Sequence, residues 1–250
     1  MRVLVTFAVN AEFAPWRKLR EFSENNANLC KIHTAQFGEL EVDVLLTGIG
    51  GRSAWLETTK RVWSGDIDIC ISSGLAGALH KRHRPGDILA AKSVQSVAWK
   101  QKILCDAELV ASAVEAGARE VNSFYSAENV ILSALEKCEL GKCADAVEME
   151  SGQVLYEAVA FGTRVVAIRG ISDAVEEDLP LDFNRVTTTS GEVSMSRVLA
   201  QVAMNPGKVP SLIRFGQQSR MAADQLCGFL DRYLEGLSRL LPAMSTEVAR

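Results

Sequence analysis

None of the six cysteines forms a CxxC pair, and none stands at a ligand spacing from the three histidines, His33, His80 and His83. A zinc site needs at least three converging thiolate or imidazole ligands, so no metal is expected, and no other cofactor has a motif. With no signal peptide at the start, the thiols read as the reduced cysteines of a cytoplasmic protein. No apolar run reaches the roughly 18 residues of a membrane span, and none is expected. Positive charge is also short: Lys+Arg 27 against Asp+Glu 31 leaves a net charge of -4. That gives no field to hold a phosphate polymer, which removes nucleic acid as the expected partner. The densest basic stretch, Lys81, Arg82 and Arg84, reads as a solvated loop. A GxxxxGKS or GxxxxGKT phosphate loop is missing, which removes nucleoside triphosphate hydrolysis. Gly48-Ile-Gly-Gly51 begins a dinucleotide pattern, but its third glycine would fall at Ser53, and the run follows a later strand than that pattern requires.

What is present is an ordinary globular composition, 48% hydrophobic and 23% charged, over 250 residues. That length supports one large domain with a sizeable core. Residues 2–8 are nearly continuously apolar and β-branched, as in a strand buried on both faces. Similar short runs occur at 42–47, 67–72, 88–91 and 165–169. Helix-period stretches at 52–63 and 151–161 follow two of them, and the alternation predicts an α/β fold. From residue 211 onward, Leu226, Phe229, Leu230, Tyr233, Leu234, Leu237 and Leu240 recur every three or four residues, as in a long amphipathic helix. Breakers mark residues 205–210 as a loop, and 176–180 as an acidic loop closed by proline. No repeat or linker divides the chain, so residues 1–250 read as one domain with 206–250 as a C-terminal helical extension.

Ligands of open α/β sheets bind beyond the carboxyl ends of the strands. Residues that follow the apolar runs are therefore candidates: Glu12 after the first, Gly74 and Gly77 after the run at 67–72, and Asp173 after the run at 165–169. Glu148 and Glu150 stand near the middle of the chain. In an extended segment these two share one side, whereas a helix starting at Glu150 separates them, so only one need face a ligand. Taken singly, each carboxylate reads first as a solvated or helix-capping group, and the glycines read equally as strand punctuation. Their convergence from distant positions is what favours a site.

These segments resemble the purine and uridine nucleoside phosphorylase superfamily, and within it the methylthioadenosine/S-adenosylhomocysteine nucleosidases. The resemblance covers roughly residues 1–185 in order. It rests on Ala8-Val-Asn-Ala-Glu12, Thr47-Gly-Ile-Gly50, Ser73-Gly-Leu-Ala-Gly-Ala-Leu79, Arg84-Pro-Gly-Asp-Ile88, Val147-Glu-Met-Glu-Ser151 and Ile168-Arg-Gly-Ile-Ser-Asp173. The last two are the specific elements. The C-terminal quarter looks closer to the hopanoid-associated phosphorylase-like branch. The resemblance implies a three-layer α/β/α domain around a mixed, partly closed sheet, a homodimer, and action on the N-glycosidic bond of a nucleoside. It implies Asp173 as the acid that serves the leaving purine, beside Ser172. Glu150 would accept from the ribose hydroxyls, with Met149 under the sugar, and Glu12 would activate water. The substrate would lie against the turn at Gly74, Leu75, Ala76 and Gly77, and residues 126–131, Val130 and Ile131 among them, would frame the base.

Breaking a glycosidic C–N bond passes through an oxocarbenium-like sugar, so carboxylates near the sugar stabilise the growing charge while an acid neutralises the departing base. An aspartate that carries a proton at neutral pH needs burial or a neighbouring carboxylate, which predicts an enclosed site. Family phosphorylases place an arginine two residues before the glycine of the SGLAG-type turn and another after the first strand. Here those places hold Ser72 and residues 10–13, so phosphate loses its bidentate partners unless Arg52 or Arg84 substitutes. Leu75 replaces the nucleosidases' serine, and Glu128 and Val130 replace their aspartate and phenylalanine. The expected function is therefore a hydrolytic purine nucleosidase. Phosphorolysis is the alternative, with phosphate as second substrate, and a non-catalytic nucleoside-binding protein is the alternative of another class.

Overall fold

The computed structural model describes all residues except 28–29, 97–101, 187, 189–193 and 248–250, with side chains described up to residue 239. The chain opens with β1 (Arg2–Phe7), α1 (Asn10–Phe13) and α2 (Trp16–Leu19), then β2 (Ser23–Ala27), β3 (Cys30–Phe37) and β4 (Leu40–Leu46). After α3 (Gly51–Val62) come β5 (Ile69–Ser72), β6 (Leu75–Ala78), β7 (Ile88–Ser96), β8 (Ile103–Leu104), α4 (Ala107–Glu115) and β9 (Arg119–Ser126). Next are α5 (Ala134–Leu140), β10 (Ala146–Glu148), α6 (Ser151–Ala160), β11 (Arg164–Asp173), α7 (Phe183–Val186), α8 (Met195–Met204) and α9 (Val209–Glu247).

The architecture is the mixed α/β sandwich that the sequence predicts. One sheet runs β2-β3-β4-β1-β5-β11-β6-β10-β9-β7-β8, and a further β11–β7 pairing closes β11, β6, β10, β9 and β7 into a ring. β1 is parallel to β4 and β5, and β11 is parallel to β5 and β6 but antiparallel to β7. Strands buried on both faces need continuous apolar runs, which is why β1 and β11 are solvent-free along almost their whole length. α3 and α6 pack on each other, and α9 packs on β11, α1, α2 and α4.

The apolar stripe of α9 enters the core: Leu226, Phe229, Leu230, Tyr233, Leu234 and Leu237 are all buried. Polar ties add to this packing. Tyr233 donates its hydroxyl to the Leu109 carbonyl at 2.9 Å, and Asp231 accepts from Trp16 Nε1 at 2.9 Å and Arg20 Nε at 2.8 Å. The segment 205–210 departs from the predicted loop. Pro206–Lys208 form a 3₁₀ turn, and α9 already begins at Val209. Pro210 falls in the first helical turn, where the missing N–H has no intrahelical partner to lose. Among the described residues, no helix is long and apolar enough to cross a membrane.

Candidate functional site

The ends of β1, β6, β10 and β11 meet around a cavity of about 200 Å³. Glu12 enters it from α1, one turn beyond β1. Its Oε2 accepts from the backbone N–H groups of Ala8 at 2.9 Å and Val9 at 3.3 Å, and its Oε1 accepts from Leu75 N at 3.0 Å. Burial raises the Glu12 carboxyl above the ordinary glutamate range, against the opposing effect of these donors and of Arg169. The turn that supplies Leu75 N needs glycine. Gly74 has φ +137°, and a Cβ there would lie 2.5 Å from an Arg169 guanidinium nitrogen and 3.2 Å from Glu12 Oε1.

β10 stops at Glu148, Glu150 takes the cap position, and α6 starts at Ser151, so the strand-to-helix switch sends the two glutamates apart. Glu148 Oε2 accepts from Glu150 N at 3.0 Å and Ser151 N at 2.7 Å, and pairs with the Arg169 guanidinium at 2.5 Å. Arg169, buried on β11, also donates to the Ser73 carbonyl, to Ser151 Oγ at 2.8 Å and to Ser72 Oγ at 3.3 Å. Glu148 is thus the counter-ion of a buried arginine and a helix cap, while Glu150 Oε1 accepts from Gly50 N at 2.8 Å. Burial, and more weakly the Glu148 charge, push Glu150 up to about 7 against the pull of Arg169.

Ser172 and Asp173 lie at the end of β11. Ser172 Oγ is 2.6 Å from Asp173 Oδ1 and 3.2 Å from the Ala76 carbonyl, and it can donate to either. Of the two conditions set for Asp173 above, burial or a neighbouring carboxylate, burial is met, and the charged group beside it is an ammonium: Lys137 Nζ, from α5, donates to Oδ2 at 2.5 Å. Enclosure is less than expected. The carboxylates are buried, with Asp173 5% exposed, yet the cavity is a cleft open on one side.

Glu12, Leu75, Ala76, Gly77, Val130, Ile131, Met149, Glu150, Ser172 and Asp173 all line the cleft. Gly74 does not, and is packed against Arg169 and Glu12 instead. Sequence reasoning missed Lys137 and the apolar residues Ile49, Leu179, Phe183 and Phe215. The Phe183 and Phe215 rings lie 5.3 Å apart. Their signal is absent from local patterning, because α7 and α9 bring them in from beyond the recognisable motifs. Among the described residues no arginine lines the cleft. Arg52 lines an adjoining hollow with Met149 and Val130, and Arg84 is exposed elsewhere. No cluster of three or more His, Cys, Asp and Glu is placed to hold a metal ion among the described residues. The arrangement combines two buried carboxyl groups that hold protons more tightly than usual with one carboxylate–ammonium pair, a set suited to moving protons around a bond that breaks toward a cation.

Comparison with known proteins places this geometry in a wider group. A family model described as the phosphorylase superfamily matches residues 2–204. The chain is similar to the solved futalosine hydrolase of Helicobacter pylori at 20% identity, covering 93% of this chain and 97% of that one, with a TM-score of 0.71. It is similar to the Campylobacter jejuni 5′-methylthioadenosine/S-adenosyl homocysteine nucleosidase at 17% identity, covering 94% and 99%, with a TM-score of 0.71. A Helicobacter pylori nucleosidase mutant with 5′-methylthioadenosine in its active site matches at 19% identity, covering 93% and 97%, with a TM-score of 0.70. These likenesses show a shared fold.

Proposed function

Since the chain belongs to the phosphorylase superfamily, we propose that it is a nucleosidase that cleaves the N-glycosidic bond of a purine nucleoside with water as the nucleophile. The observation that carries this reading is Glu12, a buried carboxyl fixed by three backbone donors in a cleft that no described arginine lines. A carboxylate there accepts a proton from water and repels a phosphate dianion. Glu150 accepts from the ribose hydroxyls and faces the positive charge that grows on the sugar, and Met149 packs beneath it. As the C1′–N bond breaks, its electron pair moves onto the base, which takes a proton delivered by Asp173, itself oriented by Ser172. Val130 and Ile131 frame the base, and Leu75, Ala76 and Gly77 supply a further part of the cleft lining.

The apolar rim of Ile49, Leu179, Phe183 and Phe215 suits an apolar substituent on the sugar's 5′ carbon. The compared proteins are named for futalosine and for methylthioadenosine and S-adenosylhomocysteine, and the methylthio group is an apolar substituent of that kind. Phosphorolysis is a second reading, favoured by one observation, the position of Arg52 beside Met149 at the neighbouring hollow. The six cysteines are unpaired, two of them exposed, which supports a cytoplasmic protein. Exposed Trp55, Trp63, Tyr156 and Phe161 on or next to α3 and α6 support a homodimer.

Release of free base from a panel of purine nucleosides, with and without phosphate, tests the activity. Asp173→Asn should cost about 10²–10⁴-fold in kcat, the usual worth of a positioned acid. Failure to release base from any purine nucleoside, or an Asp173→Asn enzyme at full rate, contradicts the reading.

A further inference from the structure

Lys137 is a buried cation in contact with Asp173 that the mechanism above leaves unused. Its side chain is 1% exposed. Nζ donates to Asp173 Oδ2 at 2.5 Å, to the Glu177 carbonyl at 2.8 Å and to the Ala174 carbonyl at 3.2 Å. An ammonium has three N–H donors, so all three are engaged, one on the carboxylate and two on the loop that follows β11. A cation this deeply buried persists only with a counter-charge. The other charged groups around the cleft do not supply one. Arg169 takes Glu148, Glu12 and Glu150 are held by backbone N–H groups, and the Glu177 carboxylate turns to Arg214 at 2.5 Å. Asp173 is in turn flanked by donors on both oxygens, Ser172 Oγ on Oδ1 and Lys137 on Oδ2. The ammonium on Oδ2 makes Asp173 the carboxylate of a buried ion pair, and a transferable proton lies beside it on Nζ.

Resting on the nucleosidase reading, we propose that Lys137 is the source of the proton that Asp173 delivers to the leaving base, the two side chains acting as one acid. As the glycosidic electron pair moves onto the base, the Nζ proton passes to Asp173 Oδ2 and the resulting carboxyl gives a proton to a base nitrogen. Lys137 is left as a neutral amine and Asp173 returns to carboxylate. The proton that Glu12 takes from the attacking water balances the one lost, and exchange through the open cleft restores the ammonium. Lys137 does not touch the base; it is a positioning and proton-supplying residue that acts through Asp173.

The test compares two leaving groups in the full-length protein: a purine nucleoside, whose base needs a proton, and para-nitrophenyl β-D-ribofuranoside, whose phenolate departs without one. Lys137→Met should lower kcat on the purine nucleoside by about 100-fold, within the range of general acid catalysis, while cleaving the nitrophenyl riboside at the wild-type rate. Lys137→Arg keeps the charge but does not release a proton, so it should be as slow on the nucleoside as Lys137→Met. Asp173→Asn should show the same discrimination between leaving groups. Equal losses on both substrates would mean a structural role only, recovery of the nucleoside rate by arginine would mean that charge alone matters, and full nucleoside activity in Lys137→Met would mean no role; each overturns the inference. A wild-type enzyme inert on both substrates contradicts the nucleosidase reading itself, and the inference falls with it.

Discussion

Glu150 links the chemistry of the site to the stability of the fold. Its carboxyl is buried and pushed up to about 7, above the value of about 4.5 it has in an unfolded chain. The folded protein therefore binds that proton more tightly than the unfolded one. The stabilisation this gives is complete below the unfolded value and is lost as pH rises through about 7. Glu12, raised by the same burial, acts in the same direction. Glu150→Gln keeps an oxygen to accept from Gly50 N but has no charge to bury. The variant should gain on the wild type between pH 5 and pH 8, with a difference on the order of 3 kcal/mol at most, read as diverging melting temperatures. A gap that does not change with pH would contradict the burial argument.

At the same scale, Glu12, Glu150 and Asp173 could be read from the sequence because each follows a strand-like run or a specific motif. Lys137 could not. It lies 36 residues from Asp173 in a short helix whose pattern predicts nothing about the cleft, and only the packing of α5 against the loop after β11 brings it there. The division of labour between Glu148 and Glu150 was left open by their spacing. Both line the cleft; the start of α6 at Ser151 and the closer pairing of Arg169 with Glu148, at 2.5 Å against 3.9 Å to Glu150, distinguish their contacts.

Among the elements, β1, β5 and β11 were legible because strands buried on both faces are apolar nearly throughout, and β4 and β7 through their shorter apolar runs, despite Asp43 in the one and Lys92 in the other. β2, with the sequence Ser-Glu-Asn-Asn-Ala, is an exposed edge strand, and β10 has only three residues, so neither carries a periodicity to find. α9 was legible as a long helix from residue 211, through the apolar stripe that meets the core in its C-terminal half, but nothing in that stripe showed that the mostly solvent-facing N-terminal half sends Phe215 to the cleft. The two halves should separate experimentally. Phe215→Ala removes apolar contact that is the same in the ground and transition states, so KM should rise by roughly tenfold at unchanged kcat. Since Phe215 lies outside the core, the melting temperature should hold. A fall in kcat with unchanged KM would place Phe215 in the chemical step and contradict this role.

For the molecule as a whole, the alternation of runs and helices was enough to predict an α/β sandwich. The partial closure of the sheet came only with the family resemblance, because it depends on β11 pairing with β5 and β6 and also with β7, which no run or alternation in the sequence shows. The same scale holds the argument for assembly. Trp63 is 73% exposed and Trp55 44%, with Trp63 against Phe161 at 6.1 Å between ring centroids, which makes a contiguous apolar face on the α3–α6 pair. Covering this face is the simplest reason for it to exist. Light scattering should give the mass of two chains for the wild type and one for Trp63→Glu. A monomeric wild type would contradict the homodimer.

The central claim concerns the fate of one bond, and the sugar product reports it most directly. Incubated with a purine nucleoside in saturating phosphate, the enzyme should release free base and free pentose at a rate that phosphate does not raise. Pentose 1-phosphate as the product, formed at a rate that depends on phosphate, would contradict water as the nucleophile.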